Sequence, residues 1–253
     1  MTISVITIVY NDKRGIRNTI ENVIHQTRFN DIEYIIVNGA STDGTTSVIE
    51  EYMKYISKYI CEPDTGIYNA MNKGLAMASG DYVIFINSGD MFSSENVVEN
   101  IINLIGNDIP DVVYGSYREC QGSSVSKVIP CRNVDKIWYG PVASHQSTLY
   151  RLEHLQKYGL KYDESYRIAA DYKLTAEAVK LASKCLKTNI CISDFDLTGI
   201  SSSNQNLGLK EANRVREDVF GWGKFKIRSL TAVLLCARYA KKYFGPIYKL
   251  IRY

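Results

Sequence analysis

The sequence lacks most of the short signatures that mark a nucleotide or metal site. No GxGxxG follows the first apolar run, and no Walker sequence occurs anywhere in the 253 residues. The usual dinucleotide-binding and P-loop classes are therefore disfavoured. The six cysteines show no metal-ligand spacing, and no signal peptide precedes the first apolar run. We expect a reduced, cytoplasmic protein without disulfides.

Long apolar runs and internal repeats are also missing. The apolar stretch at 230–237 is much shorter than the roughly 20 residues that a helix needs to cross a bilayer, so we expect no membrane span there. With no repeat or low-complexity tract, the chain length suits one large domain with a sizeable core, with or without an appendage.

Acidic residues are absent from one end of the chain. From Phe220 onward there are eight lysines and arginines and no acid, which leaves 22 basic and 27 acidic side chains for residues 1–219. The net charge of +3 therefore conceals an acidic body and a basic tail. We place a domain boundary here, between residues 1–219 and a basic, amphipathic, helical tail at 220–253.

Buried strands alternate with amphipathic helices through the first hundred residues. Apolar runs without alternation at 3–9, 33–37, 58–61 and 82–86 predict strands buried on both faces. Right-handed crossovers would lay these strands parallel, so we predict an α/β fold with a Rossmann-like, mostly parallel central sheet flanked by helices. Later segments predict strands at 111–117, 146–150 and 186–192, helices at 94–105, from Asp171 and at 207–220, and a loop at 199–204.

Polar side chains follow the four strands of this series. They are Asn11, Asn38 with Asp43, Asp64, and Asn87 with Asp90. In open α/β sheets, ligands bind at the carboxyl edge, and amides and carboxylates suit a base, a ribose diol and a divalent cation. We infer a nucleoside diphosphate site at this edge. The alternative is that Asn, Asp and Gly gather in turns for their backbone tolerance alone.

These residues stand in motifs that resemble the family 2 glycosyltransferases of the GT-A fold. The motifs are Ile-Thr-Ile-Val-Tyr-Asn at 6–11, Val-Asn-Gly-Ala-Ser-Thr-Asp-Gly-Thr at 37–45, Glu-Pro-Asp-Thr-Gly-Ile-Tyr-Asn-Ala-Met-Asn-Lys-Gly at 62–74, and Asn-Ser-Gly-Asp at 87–90. They occur in the family's order and spacing. A later run, with His145-Gln146, 163–164 and Ala-Ala-Asp-Tyr at 169–172, is similar to the family's acceptor-side half. Each piece alone is weak, but the combination is specific.

The resemblance implies transfer of a hexose or N-acetylhexosamine from a UDP-sugar to an acceptor hydroxyl, with inversion at the anomeric carbon. It divides the domain into a nucleotide-binding half, 1–115, and an acceptor-side half, 116–219. The residues that would surround the nucleotide sugar are Val9, Tyr10, Asn11, Asn38, Asp64, Asn72, Asn87 and Ser88. Asp90 would bind Mn²⁺ or Mg²⁺, with His145 as a further candidate ligand, and the cation would neutralise charge on the departing diphosphate. The alternatives are a solvated turn acid and a structural histidine.

The sequence departs from the family pattern at two of these positions. Asn38 stands where an aspartate commonly faces the uracil ring, and the turn at 87–90 keeps one carboxylate where relatives have Asp-x-Asp-Asp. We therefore expect weak metal binding that relies on diphosphate oxygens. An alternative function is a transfer-deficient, nucleotide-sugar-binding or assembly subunit. A nucleotidyltransferase would show a glycine-rich basic loop after the first strand, which residues 10–14 do not form.

The acceptor-side half contains the candidate general base, Asp171. An inverting transfer needs a base because the attacking hydroxyl must lose its proton as the diphosphate leaves. The resemblance favours Asp171, although a carboxylate at a helix start also serves as a cap. Asp163 and Glu164 are competing candidates and the predicted acceptor-binding residues.

The basic tail suits an anionic membrane surface. Across 222–253, aromatic and aliphatic side chains interleave with lysines and arginines, which is typical of an interfacial helix. We expect peripheral attachment to the inner face of the cytoplasmic membrane. By resemblance, a lipid-linked saccharide acceptor for surface polysaccharide or O-antigen would be presented there. The alternative is a terminal helix packed on its own domain, and the acidic body disfavours nucleic acid. The donor sugar, acceptor and linkage stay open.

Overall fold

The computed structural model describes residues 1–121, 124–197 and 205–243. The strands in these ranges are β1 (Ile3–Val9), β2 (Ile32–Asn38), β3 (Lys58–Cys61), β4 (Tyr82–Phe85), β5 (Met91–Phe92), β6 (Val112–Gln121), β7 (Ser124–Val125), β8 (Thr148–Arg151) and β9 (Cys185–Asp196). They form one sheet in the order β3-β2-β1-β4-β8-β6-β9-β5, with β7 paired to β6. The predicted loop at 199–204 lies outside the described residues.

Helices cover both faces of this sheet. They are α1 (Lys13–Ile24), α2 (Thr45–Glu51), α3 (Ile67–Met77), α4 (Val97–Ile105), α5 (Leu152–Tyr158), α6 (Ala170–Leu181), α7 (Gln205–Asp218) and α8 (Lys224–Tyr243). Short 3₁₀ turns occupy 29–31, 53–55, 134–139 and 145–147. The α/β architecture is therefore the one that the alternating pattern predicts.

The first four strands run parallel, as predicted. Alternate side chains of β1 enter two core layers: Val5 and Val9 pack with the layer that holds α1, and Ile6 and Ile8 pack with the layer that holds α3. Both faces are buried, which explains why these strands read as continuous apolar runs. Their carboxyl ends meet at one edge of the sheet.

The second half of the sheet is mixed. β8 runs antiparallel to both β4 and β6, whereas β6 and β9 are parallel. β8 begins at Thr148, two residues later than predicted, because 145–147 form a 3₁₀ turn. β6 and β9 extend beyond the predicted strands and contain a register shift. Gly115 lies at this shift, where a Cβ atom would come within 2.6 Å of the Ile190 carbonyl oxygen.

Several short elements differ from the prediction. The edge strands β5 and β7 have two residues each, and α5 has seven, so none is long enough to show a period. α2 stops at Glu51 and is followed by a 3₁₀ turn at 53–55. α3 ends at Met77. Gly80 follows in the connection to β4, where a Cβ atom would stand 2.8 Å from the Thr2 carbonyl oxygen.

The C-terminal region contains two helices, α7 and α8, that contact each other. Asn213 Nδ2 donates a hydrogen bond to Thr231 Oγ1 at 3.0 Å, and Ile227 is buried. The predicted helical tail is thus seen over Lys224–Tyr243. Across the described ranges, no helix is both long enough and apolar enough to span a bilayer.

Candidate functional site

The loops after β1 and β2 are joined by hydrogen bonds into one rim. Asn11 has a left-handed backbone, with φ 49°. Its Oδ1 accepts from the Thr42 backbone N–H at 2.8 Å, and its own N–H donates to Ser41 Oγ at 2.8 Å. The next residue, Asp12, donates its N–H to Thr45 Oγ1 at 3.0 Å. Residues 10–12 and 41–45 are therefore joined to each other.

Asn38 lies fully buried inside this rim. Its Oδ1 accepts from the Ser41 N–H at 3.0 Å, and its Nδ2 donates to Thr46 Oγ1 at 2.9 Å and Tyr59 OH at 3.3 Å. Both polar atoms of the amide are thus bonded to protein. The buried Asn38 side chain therefore stabilises the turn at 39–46.

The third loop reaches the rim through Asp64. A Cβ atom on Gly39 would lie 2.4 Å from Asp64 Oδ2, so only glycine permits this approach. Asp64 Oδ1 accepts from the Gly66 N–H at 2.9 Å. Val9 is buried beneath, with its carbonyl accepting from the Gly39 N–H at 2.9 Å, whereas the Tyr10 ring is 66% exposed. The exposed face of the Tyr10 ring and the Asp64 carboxylate therefore lie next to each other.

The turn after β4 is fixed on the opposite side of the rim. Ser88 Oγ donates to Asp12 Oδ2 at 2.7 Å, while Asp12 Oδ1 caps α1 by accepting from the Gly15 N–H at 2.9 Å. Gly89 has φ 91°, a conformation that favours glycine, and its N–H donates to Thr19 Oγ1 at 3.0 Å. Asn87 Oδ1 is buried and has no hydrogen-bond partner among the described residues.

Asp90 is held below this turn and is only 5% exposed. Its Oδ2 accepts from Gln146 Nε2 at 2.8 Å, and its Oδ1 accepts from the Asp196 N–H at 3.0 Å. Burial raises the pKa of Asp90 to about 6, although the Gln146 hydrogen bond acts in the opposite direction. The carboxylate is therefore ionised at neutral pH but oriented by protein groups.

The turn at 87–90 offers oxygen donors of the kind that a divalent cation prefers. These are the Asp90 carboxylate and the unpartnered Asn87 Oδ1. In the described part of the chain, no group of three His, Cys, Asp or Glu side chains could hold a metal ion. The donor chemistry fits Mg²⁺ or Mn²⁺, but the protein donors are few. Mg²⁺ commonly takes one or two carboxylates and fills its other positions with water and phosphate oxygens.

His145 connects the turn at 87–90 with Asp171. Its Nε2 lies 3.1 Å from Asn87 Nδ2, and its Nδ1 lies 3.6 Å from Asp171 Oδ2. The amide is a donor, so Nε2 is the accepting nitrogen and Nδ1 carries the proton toward Asp171. The two ring nitrogens of His145 face Asn87 and Asp171 rather than Asp90.

Asp171 lies in the first turn of α6, which begins where the sequence predicts a helix start. Its Oδ1 accepts from the Tyr172 N–H at 2.7 Å, and the carboxylate is partly exposed. Tyr172 OH donates to the Ile137 carbonyl at 2.7 Å, which fixes this helix end against the 134–139 turn. The side chain is thus anchored and reachable from solvent.

Asn72 and Glu164 bind each other rather than standing apart. Asn72 Oδ1 accepts from the Tyr162 N–H, and Asn72 Nδ2 donates to the Tyr162 carbonyl and to Glu164 Oε1, each at 2.9 Å. Asn72 therefore ties α3 to the 162–164 loop and brings the two halves of the domain together.

Asp163 is engaged in an ion pair. Lys173 Nζ donates to its Oδ2 at 2.7 Å, and Ser165 donates twice to its Oδ1. Burial acts to raise the pKa of Asp163, but the hydrogen bonds from Lys173 and Ser165 outweigh it and hold that pKa well below the usual range. A carboxylate so stabilised is a weak proton acceptor.

Glu211 is a site-supporting residue that the sequence did not reveal. Its carboxylate is almost fully buried and accepts three backbone N–H groups at 2.9 Å each, those of Arg167, Ile168 and Ala169. This segment leads directly into Asp171. Glu211 stands in a helix rich in charged residues, where the pattern indicates an exposed position, and no short-range signal identifies its partners.

Arg216, one turn further along α7, was missed for the same reason. It is 1% exposed and donates to the carbonyls of Trp138 and Tyr139 at 3.0 and 2.7 Å. Burial lowers the pKa of Arg216. α7 therefore braces both the loop before Asp171 and the 134–139 turn with two buried charges.

The fold is that of the GT-A glycosyltransferases. The structure is similar to TarS (residues 1–349) from S. aureus, solved in complex with UDP-GlcNAc, with a TM-score of 0.71 over 96% of this chain and 73% of that chain, at 18% identity. It is also similar to the mannosyltransferase PcManGT from Pyrobaculum calidifontis, solved with GDP-Man and Mn²⁺. That TM-score is 0.64, over 99% of this chain and 80% of that chain, at 14% identity.

Sequence comparison identifies the family. The family model described as Glycosyl transferase family 2 matches residues 4–160, more than half of the chain. The chain belongs to this family and is a glycosyltransferase.

Curated relatives share fewer than a third of the aligned residues with this chain. An uncharacterized glycosyltransferase of Mycobacterium tuberculosis is 29% identical over 217 residues, covering 81% of this chain and 78% of that protein. A PGL/p-HBAD biosynthesis glycosyltransferase of Mycobacterium bovis is 26% identical over 157 residues, covering 60% of each chain.

Proposed function

We propose that this glycosyltransferase moves a hexose or N-acetylhexosamine from a UDP-sugar to a hydroxyl of a lipid-linked saccharide in surface-polysaccharide synthesis, with inversion. The observation that carries the proposal is the chain of contacts from Asn87 through His145 to Asp171. It puts the candidate base beside the turn that follows β4. TarS with UDP-GlcNAc and PcManGT with GDP-Man support a nucleotide-sugar donor.

In this proposal residues 1–115 bind the donor. The nucleoside lies on the rim, where the Tyr10 ring offers an apolar face and the Asp64 carboxylate accepts hydrogen bonds from hydroxyl or ring N–H groups. Asn38 acts indirectly, because its amide supports the turn that bears Ser41. Asn87 and Ser88 lie where the strand-end turn would meet the diphosphate. Asn72 shapes the floor by joining α3 to the acceptor-side loop.

Residues 116–219 bind the acceptor and move its proton. The acceptor oxygen attacks the anomeric carbon, the bond from that carbon to the diphosphate oxygen breaks, and the diphosphate leaves with the electron pair. The acceptor proton passes to an Asp171 carboxylate oxygen. His145 Nδ1 faces Asp171 Oδ2 and orients it, while Glu164, bonded to Asn72, contributes to the acceptor wall.

A divalent cation, Mn²⁺ or Mg²⁺, belongs to the proposal as a ligand of Asp90, with Asn87 Oδ1 as a second protein donor. It would supply positive charge against the departing diphosphate. His145, suggested by the sequence as a further ligand, is assigned instead to Asp171 because its nitrogens face Asn87 and Asp171.

The decisive variant is Asp171→Asn, which keeps the size and one acceptor oxygen but cannot take a proton at neutral pH. We expect transfer to fall by about 10³-fold or more, with calorimetric UDP affinity unchanged. Asp163→Asn is the matched control, since its carboxylate is neutralised by Lys173, and it should keep most of the turnover. Full turnover by Asp171→Asn would remove Asp171 from the mechanism.

Donor identity is tested by thermal shift with a panel of UDP-sugars and GDP-mannose, each with and without Mn²⁺. The stabilising donors are then incubated with a lipid-linked saccharide, and the product is detected. Donor binding without any product would favour the nucleotide-sugar-binding or assembly subunit instead.

The membrane part of the proposal concerns residues 222–253, which would bind the anionic inner face of the cytoplasmic membrane. α8 supports it by presenting exposed lysines and arginines beside exposed apolar side chains. Flotation with anionic liposomes, with and without residues 222–253, tests it. Equal flotation of both proteins would contradict it.

A further inference from the structure

An apolar groove lies between α8 and the 134–139 turn. Its volume is about 550 Å³, and its lining includes Trp138, Phe220, Trp222, Leu230, Val233 and Lys226. The rings of Trp138 and Trp222 lie 5.4 Å apart, with an angle of 35° between their planes. This volume falls within the range of pockets that hold small apolar ligands. We call it the tryptophan groove.

The surroundings of the tryptophan groove are basic. Lys226 Nζ stands 3.7 Å from the centre of the Trp222 ring, and Lys224 and Arg228 are exposed on the same helix. From Phe220 onward the sequence has no acid. On the other wall, the lining residue is the uncharged Trp138. An occupant with a negative charge is therefore favoured over a neutral or basic one.

Exposed apolar side chains continue from the groove along α8. Phe225 is 86% exposed and Val233 63%. Water-facing apolar side chains beside lysine and arginine are typical of helices that lie at a membrane interface. A second copy of this chain is a poor occupant, because two acid-free basic helices would repel each other.

The groove wall is braced by the elements that hold Asp171. Arg216 donates to the carbonyls of Trp138 and Tyr139, and Tyr172 OH donates to the Ile137 carbonyl. Tyr172 directly follows Asp171 in α6. A molecule in the groove therefore contacts a turn that is fixed to the acceptor side of the site.

We propose that the tryptophan groove binds one acyl chain of an anionic membrane phospholipid, with the lipid phosphate facing Lys226. The inference rests on the proposed membrane attachment of residues 222–253 and names the ligand that this segment takes. The charge comes from the lysines and arginines of α8, and the hydrocarbon contact comes from the two tryptophans and Leu230.

The chain supplies its own probe for this groove. It has two tryptophans, Trp138 and Trp222, and both line the tryptophan groove. Full-length protein is mixed with phosphatidylcholine vesicles that contain phosphatidylglycerol, with bromine on the acyl chains of either lipid. We expect a blue shift of tryptophan emission, and quenching by bromine on phosphatidylglycerol. Vesicles of phosphatidylcholine alone should cause neither.

Two substitutions that introduce a carboxylate distinguish binding in the groove from electrostatic attraction between the basic tail and the vesicle surface. Leu230→Glu puts a carboxylate inside the groove. Val233→Glu puts one at an exposed position of the groove lining, where misfolding is not expected. Each should weaken vesicle binding by about tenfold or more. Ile109→Glu changes an exposed apolar residue outside the groove lining and should bind as the unmodified protein does. Circular dichroism checks the fold of each variant.

Three results would overturn the proposal. Flotation without bromine quenching would mean that charge alone attaches the tail. Equal quenching by neutral vesicles would mean that binding does not require an anionic headgroup. A blue shift that appears without lipid as the protein concentration rises would mean that a second copy of the chain occupies the groove. These readouts need no sugar donor. Transfer to a water-soluble acceptor, measured without vesicles, reports on the proposed activity separately.

Discussion

The rim around Asn38, which we propose binds the nucleotide, and the wall around Asp171, which we propose binds the acceptor, are stabilised by different chemistry. The rim is held by short contacts between neighbouring loops, such as Asn11 with Thr42 and Ser88 with Asp12. The acceptor wall is held by buried charges from a distant helix, Glu211 and Arg216 in α7. The loops of the rim are partly exposed, so water can replace a lost partner, whereas removing one buried charge leaves its partners unsatisfied. The two sides should therefore respond very differently to single substitutions.

The largest effect is expected for Glu211→Ala. Three backbone N–H groups before Asp171 would lose their acceptor, so we expect a loss of unfolding free energy of about 2–4 kcal/mol and a fall in kcat of about 100-fold. UDP affinity should stay unchanged, because the rim is independent of α7. Denaturant unfolding, steady-state kinetics and calorimetry measure the three quantities.

Glu211→Gln is the matched control, since its amide oxygen still accepts but carries no charge. It should recover part of the kcat. If Glu211→Ala unfolds less easily than expected and keeps full kcat, the acceptor wall does not depend on α7.

Asp90→Asn tests the buried carboxylate between the two regions. The folded-state pKa of Asp90, about 6, lies above its ordinary value of 3.8. Ionisation therefore opposes folding, with a cost that is absent below about pH 4, grows to about pH 6 and then stays constant at up to about 3 kcal/mol. Gln146 can rotate to present its Oε1, which has no hydrogen-bond partner among the described residues, to the new amide.

We expect Asp90→Asn to gain stability over the unmodified protein as pH rises from 4 to 6, measured by thermal unfolding with a chelator present. The same variant should lose any Mn²⁺ dependence of UDP binding. A constant difference in melting temperature across this pH range would show that the Asp90 carboxyl titrates normally.

Gly39→Ala perturbs the rim without touching the acceptor wall. The new methyl group would lie 2.4 Å from Asp64 Oδ2, the end of a side chain that can swing away. We expect UDP affinity to fall about tenfold, a change of about 1.4 kcal/mol, with little loss of fold stability. Calorimetry and thermal unfolding separate the two effects, and a stability loss that exceeds the affinity loss would mean that the rim is rigid.

The smallest effect is expected for Ala40→Gly. Ala40 has φ 59°, a left-handed conformation that costs a residue with a Cβ roughly 1–2 kcal/mol. Glycine relieves this cost but has more freedom in the unfolded chain, so we expect a net gain of at most about 1 kcal/mol. Thermal unfolding measures it, and a lower melting temperature would mean that the Ala40 methyl group packs productively.

The two regions also differ in how far the sequence predicts them. β1 to β4 and their strand-end loops follow from local patterns, since each strand is one apolar run and each loop is one polar turn. The burial of Asn38 does not follow from the local pattern, which places this amide at an open edge of the sheet. It is possible because Thr46 and Tyr59 accept hydrogen bonds from the amide. Glu211 is harder still, since its three partners lie more than 40 residues earlier in the chain.

The reversed direction of β8 has a consequence for where catalytic groups are found. In a wholly parallel sheet, each strand brings to the ligand edge the residues that come after it. β8 enters the sheet from that edge, so it brings the residues that come before it, and His145 arrives beside Asn87 for this reason. In sheets with one inverted strand, the search for functional side chains should therefore include the segment upstream of that strand.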